Sequence, residues 1–362
     1  MSMLKLPTAL PLWSLLLPAV GVGVLPLVLG AALGPLLIGV VAVCLIAAVM
    51  SAVHHAEVVA HKLGEPFGTL VLAVAVTTIE VALIVSLMLA GGEGATALAR
   101  DTVFAAVMIV CNGVLGLCLL VGGLRHRVVA FRIEGSSPPF AVLVAMCGLT
   151  MVLPSFTTTT PGPTLTGSQL AFAGVASLAL YAAFVFVQTV RHRDYFLPLE
   201  GASDDHAEPP TAGVAWASLG LLMVALVAVV GLAKTLAPTL EAGVKAAGAP
   251  QAVVGVLVAL LVLLPETAAA VRAAGANRAQ TSINLALGSA LASIGLTIPA
   301  VALLSVWFPW PLALGLAPKE MVLLLLTFLI GTITLAGGRA TVLQGVVHLV
   351  MFAAFLFLAV VP

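Results

Sequence analysis

Glu80 and Glu266 each stand inside a long apolar run of the chain. A charge at the centre of a bilayer costs at least ~2.5–3.5 kcal/mol, so such residues are rarely kept without a use. Glu80 has no Lys or Arg in its own run, and Arg272 follows Glu266 by six residues, poorly placed round a helix to pair with it. One reading is a protonated carboxyl that hydrogen-bonds between helices. The preferred reading is a pair of carboxylates that bind protons and cations. Thr77 and Thr78 lie within a turn of Glu80 and can add hydroxyl oxygens. Pro265, directly before Glu266, removes one helical hydrogen bond and frees the Leu261 carbonyl. An all-oxygen site suits hard cations such as Ca²⁺ or Na⁺ rather than zinc.

Further polar groups follow each glutamate. Asn112 sits in an apolar run beside Gly113 and Gly116, and Asn284, Ser289, Ser293 and Thr297 accompany Gly288, Gly295 and Pro299. Close helix packing explains the glycines. The Asn112 amide needs partners in hydrocarbon, which makes it a candidate lining of the pathway together with Ser289 and Ser293. His54, Glu57 and His61 share one helical face by i+3 and i+4 spacing. They could form a proton entry relay or a metal site; a hydrated helix end is the plainer explanation. Cys44, Cys111, Cys118 and Cys147 lie in apolar runs without a CxxC pair, so neither a disulfide framework nor a zinc site follows.

The elements that position these residues must cross a membrane. Of 362 residues, 62% are hydrophobic and 8% are charged, against roughly 25% charged in a soluble domain. A water-soluble enzyme and a disordered chain are both excluded. Fourteen basic and fourteen acidic residues give zero net charge, so no nucleic-acid footprint appears. Spans of about 20 apolar residues are expected near 10–29, 33–53, 67–90, 102–124, 138–156, 168–190, 214–234, 251–271, 281–306, 320–337 and 340–361. The first reads as a retained span rather than a cleaved signal. The fold class is an all-α integral membrane protein of eleven transmembrane helices.

Lys and Arg set the orientation. With the N-terminus in the cytoplasm, the inner side receives Lys5, Lys62, Arg125, Arg127, Arg132, Arg191, Arg193, Arg272, Arg278 and Arg339. The outer side receives only Arg100, Lys234, Lys245 and Lys319. An N-in, C-out protein of the cell (inner) membrane is therefore expected. Residues 1–32 form an extra N-terminal helix, 33–190 a first five-helix repeat, 191–213 an acidic cytoplasmic linker and 214–362 a second five-helix repeat. Five spans per repeat make the second enter from the opposite face, as in inverted-repeat transporters. Glu80 falls fourteen residues after Pro66 and Glu266 sixteen after Pro250, helical depths of roughly 21 and 24 Å from opposite faces.

The stretch Ala60-His-Lys-Leu-Gly-Glu-Pro-Phe-Gly-Thr69, leading to Thr77-Thr-Ile-Glu80, resembles the first α-repeat of ChaA-type cation/proton antiporters of the Ca²⁺:cation antiporter superfamily. Leu264-Pro-Glu266, Asn284-Leu-Ala-Leu-Gly-Ser289 and Leu296-Thr-Ile-Pro299 resemble the second. The resemblance implies proton-driven efflux of Ca²⁺, Na⁺ or K⁺ by alternating access, with Glu80 and Glu266 binding ion and proton in turn. Vacuolar-type Ca²⁺/H⁺ exchangers carry Gly-Asn-Ala before the first glutamate, whereas this chain has Val76-Thr77-Thr78-Ile79. Two other readings stay open: a cation channel or uniporter with an acidic midplane, and an intramembrane metalloenzyme using His54, Glu57 and His61. No cofactor is expected, and the partners are lipid, inorganic cations and protons.

Overall fold

The computed structural model describes residues 10–30, 34–64, 67–90, 95–197, 210–307 and 312–361. Among them eleven helical segments follow in chain order: α1 (Leu12–Val28), α2 (Pro35–Leu63), α3 (Phe67–Ala90) and α4 (Ala95–His126), then α5 (Ile133–Ser155), α6 (Gly167–Arg191), α7 (Ala212–Ala246) and α8 (Ala252–Gly275), and last α9 (Ala279–Trp307), α10 (Pro318–Ala336) and α11 (Val342–Val360). Ten are long and apolar enough to cross a membrane, and α1 is a shorter apolar helix of 17 residues. One two-residue ribbon pairs β1 (Val129–Ala130) with β2 (Arg339–Ala340). The linker acids Glu200, Asp204, Asp205 and Glu208 lie outside the described residues.

Two helices run well past their expected ends. The helix α2 continues to Leu63 instead of residue 53, and α7 to Ala246 instead of residue 234. Hydropathy marks the hydrocarbon slab, but backbone hydrogen bonding carries on into the polar interface. Gly64 stops α2 with a left-handed φ of 66°, the usual chemistry of a helix end.

The contacts divide the chain into two compact units, Met1–Ala90 with Asp204–Ala242, and Gly91–Ser203 with Gly243–Pro362. In the first, α2 packs on both α1 and α3. Pro18 has no N–H, so the Ser14 carbonyl four residues earlier loses its helical donor. Ser51 Oγ at 3.1 Å and His55 Nε2 at 2.8 Å, both from α2, donate to that oxygen instead. On α1's other flank Gly21 faces Ala228 and Leu25 lies over Gly231 of α7, with space for no larger side chain at either glycine.

In the second unit α4 is the central element. Of its most apolar 18 residues 89% are buried, against 17% for α11, as expected of a helix hydrophobic all round. It packs on α8, α9 and α11, while α5 packs on α9 and α10, and α6 on α9. Four of these helices are not regular. Residues Ile109–Val114 of α4, Gly148–Val152 of α5, Val187–Arg191 of α6 and Ser293–Thr297 of α9 form π-turns.

Candidate functional site

Glu80 is 4% exposed, one turn from a buried Thr77 at 6%. The i,i+3 spacing puts both on one face of α3. Thr78 points elsewhere: it is exposed, and its hydroxyl donates to the Val74 carbonyl at 2.7 Å. The two adjacent threonines therefore separate into one on the buried face of the carboxylate and one whose hydroxyl is spent on its own helix.

Glu266 lies half-buried in α8 just after the buried Pro265, and the helix passes through this proline unbroken from Ala252 to Gly275. This helix packs on the π-turn of α4 that carries Asn112 and on α9, which carries Ser289 and Ser293. Ser293 opens the α9 π-turn and is 5% exposed; Ser289, one turn before it, is half-buried. Packing thus brings together in one unit the helices that hold Glu266, Asn112, Ser289 and Ser293. π-turns are frequent at functional sites because they re-aim side chains and carbonyls without ending the helix.

Asn112 is fully buried, and its amide is satisfied by residues far along the chain. Thr327 of α10 donates its hydroxyl proton to the Leu323 carbonyl at 2.8 Å. The Thr327 oxygen is thereby left to accept, and Asn112 Nδ2 donates to it at 2.8 Å. The amide oxygen of Asn112 then faces His348 Nδ1 of α11 at 3.4 Å. Thr334 Oγ1 lies 3.1 Å from the other imidazole nitrogen. Sequence reasoning found Asn112 but missed Thr327, Thr334 and His348. The available signal was a single imidazole in the otherwise non-titratable run Val342–Val360.

A second polar group sits at the start of α9. Gln280 accepts from the Arg132 N–H at 2.7 Å and donates to Asn284 at 2.9 Å; Asn284 in turn donates to the Phe196 carbonyl at 2.6 Å. Asn284 therefore ties α9 to the segment after α6.

The face expected from His54, Glu57 and His61 runs from half-buried to exposed. His54 is half-buried against the Trp13 ring, with centroids 4.8 Å apart, whereas Glu57 and His61 are exposed. The buried imidazole is the adjacent His55. Among the described residues no group of three or more His, Cys, Asp or Glu side chains could hold a metal ion.

A helical chain that crosses the membrane many times, with carboxylates inside its spans, is of the class of ion carriers. The chain belongs to the sodium/calcium exchanger protein family, whose profile matches residues 33–190 and 217–361. It is 50% identical to y4hA of Sinorhizobium fredii, over 97% of each chain. It is 35% identical to the sodium-potassium/proton antiporter ChaA of Escherichia coli, over 86% of this chain and 85% of that one. The fold is similar to that of YfkE, a Ca²⁺/H⁺ antiporter, with a TM-score of 0.74 at 19% identity over 96% of this chain and all of the other. The protein is a secondary active exchanger of the ChaA type, a multi-pass membrane antiporter and not an enzyme.

Proposed function

We propose that the protein exports a cytoplasmic cation, Ca²⁺, Na⁺ or K⁺, in exchange for external protons. Glu80 and Glu266 bind ion and proton alternately, and Thr77, Asn112, Ser289 and Ser293 supply further oxygens. The observation that carries the reading is a carboxyl group only 4% exposed inside a membrane span, Glu80. Desolvation penalises a bare carboxylate there, which favours binding of a proton or a metal ion at its oxygens. Mutual exclusion at the same oxygens couples the two fluxes without another energy source. Two inverted five-helix repeats, 33–190 and 214–362, rock between inward- and outward-open states around that site. The sodium-potassium/proton activity in the name of the 35%-identical relative supports monovalent cargo, and the Ca²⁺/H⁺ activity of the fold neighbour keeps Ca²⁺ beside it. No cofactor takes part; lipid, cations and protons are the partners, and the inner membrane is the site of action.

The test is ΔpH-driven exchange in proteoliposomes, read with KCl, NaCl and CaCl₂ in turn. Glu80→Gln and Glu266→Gln are expected to abolish exchange. In the unsubstituted protein, lowering the pH on the cation side protonates the carboxyls and raises the apparent cation KM. Full exchange in both variants overturns the site assignment. Cation flux that ignores an imposed proton gradient identifies a channel or uniporter instead.

A further inference from the structure

The buried chain of hydrogen bonds around Asn112 has a fixed polarity, and one of its members has no role in the exchange cycle so far. A carbonyl can only accept, so the Leu323 carbonyl takes the Thr327 proton. That makes Thr327 the acceptor for Asn112 Nδ2 and turns the Asn112 oxygen toward α11. His348 must then carry its proton on Nδ1 to meet that oxygen, and its Nε2 accepts from the Thr334 hydroxyl. Every member is buried, Asn112, Thr327 and His348 at 0% and Thr334 at 4% exposed.

The imidazole meets the middle of the π-turn, where the Leu115 N–H bonds to the Val110 and Asn112 carbonyls. Glycines hold α11 close enough for this. A Cβ on Gly345 would sit 2.6 Å from the Leu120 nitrogen, and one on Gly116 would sit 3.0 Å from the His348 Cβ. One side chain from the last helix thus meets the Asn112 amide on the irregular turn that carries it.

We propose that His348 is a positioning residue for cation binding: its Nδ1–H orients the Asn112 amide on the α4 π-turn toward the pathway. This rests on the reading of Asn112 as a residue of the cation pathway. Removing the imidazole leaves the Asn112 oxygen without that donor, and the amide is no longer held in one orientation. Binding suffers before the conformational cycle does, so the effect falls on KM rather than on kcat.

The experiment measures KM and kcat for K⁺, Na⁺ and Ca²⁺ in proteoliposomes under an imposed pH gradient. His348→Phe, which keeps a ring but no donor, is expected to raise KM about tenfold, the size expected for one lost buried hydrogen bond, with kcat within about twofold. His348→Asn places an amide N–H where Nδ1 was and is expected to restore most of the affinity; His348→Gln, whose donor sits further out, is not. Thr334→Val, which touches only Nε2, is expected to shift KM by less than about threefold. In an Asn112→Ala background His348→Phe is expected to add nothing further. Additive effects in that cycle overturn the proposal, as does an unchanged KM in His348→Phe, or equal loss in the Asn and Gln variants. If Asn112→Ala itself leaves KM unchanged, the pathway assignment of Asn112 fails and the positioning role goes with it. An altered Asn112→Ala with a normal His348→Phe removes the positioning role alone.

Discussion

Thr77 and Thr78 are equivalent on paper, since both fall within a turn of Glu80 and both offer a hydroxyl. Burial and hydrogen bonding separate them: Thr77 is buried on the carboxylate's face, and Thr78 is exposed with its proton already given to Val74. Thr77→Val is therefore expected to raise the apparent cation KM about tenfold, the loss of one oxygen to a charged ligand. Thr78→Val should stay within about twofold, because backbone back-bonding contributes little to a helix. A titration of KCl and CaCl₂ in the proteoliposome assay distinguishes them, and equal shifts would remove Thr77 from the site. Glu80, Glu266 and Asn112 were legible in the sequence for a single physical reason. A polar group in an apolar run must find a partner or a use, so rarity alone points to it. His348 obeyed the same rule, but its polar neighbour at helical spacing, Gln344, caps the start of the helix, and its partner Asn112 lies 236 residues away. His54, Glu57 and His61 have the spacing, yet only His54 is half-buried, and no group of three metal ligands forms among the described residues. An i,i+3,i+4 face is common to any helix end that leaves the slab, and only packing tells a site from a wet surface.

The close approach of α4 and α11 belongs to the scale of whole elements. It depends on glycines at the crossing, where a side chain at Gly345 would meet the backbone nitrogen of Leu120 and the Gly116 carbonyl. Backbone cannot step aside as a side-chain tip can, so Gly345→Val must push α11 outward. Overpacking of this kind costs about 1–3 kcal/mol or more, and the displacement also withdraws His348 from Asn112. The melting temperature in detergent, followed by tryptophan fluorescence, is expected to fall by several degrees. Gly220→Ala is the matched control, since nothing lies within 4 Å of its Cβ position. An unchanged melting temperature in Gly345→Val would mean that α11 is not held at this crossing. The existence and order of the helices were legible because hydropathy reports directly on the slab they cross. The π-turns in α4 and α9 were not. A π-turn inserts one residue and shifts the phase of the helical stripe, but a helix apolar on every side has no stripe whose phase can be read. The clamp of α1 on α2 was half legible: Pro18 announces a freed carbonyl, but the sequence does not say that Ser51 and His55 take it.

For the whole molecule, the path of the chain fixes which ends share a side, and charge then says which side is which. In the second unit Gly255 of α8 lies against Asp101 at one end of α4, and Gly275 against Arg125 at the other, so α4 and α8 run parallel. Three helices separate them in sequence, and parallel packing requires an odd number of crossings between them. The pair α6 and α9 agrees: Gly174 meets Pro299 and Gly295 meets Tyr181, an antiparallel pairing. The loops sort accordingly. Thr96, Met151, Pro163 and Gly315 share backbone hydrogen bonds at one end through the segment 313–316. At the other end β1 pairs with β2, and Gln280 binds Arg132. The second end carries Arg125, Arg127, Arg132, Arg278 and Arg339. Arg100 and Lys319, at the first, are each drawn to the acid that follows them, at 2.7 Å in Arg100–Asp101 and 3.4 Å in Lys319–Glu320. An excess of arginine marks the cytoplasmic face, so α11, which starts beside Arg339, is expected to finish outside. A green fluorescent protein fused after Val361 is expected to stay dark, and alkaline phosphatase at the same point to be active. The same reporters fused after Gly338 should give the reverse pattern. A fluorescent C-terminal fusion would place the arginine-rich end outside and invert the direction in which protons drive the cation.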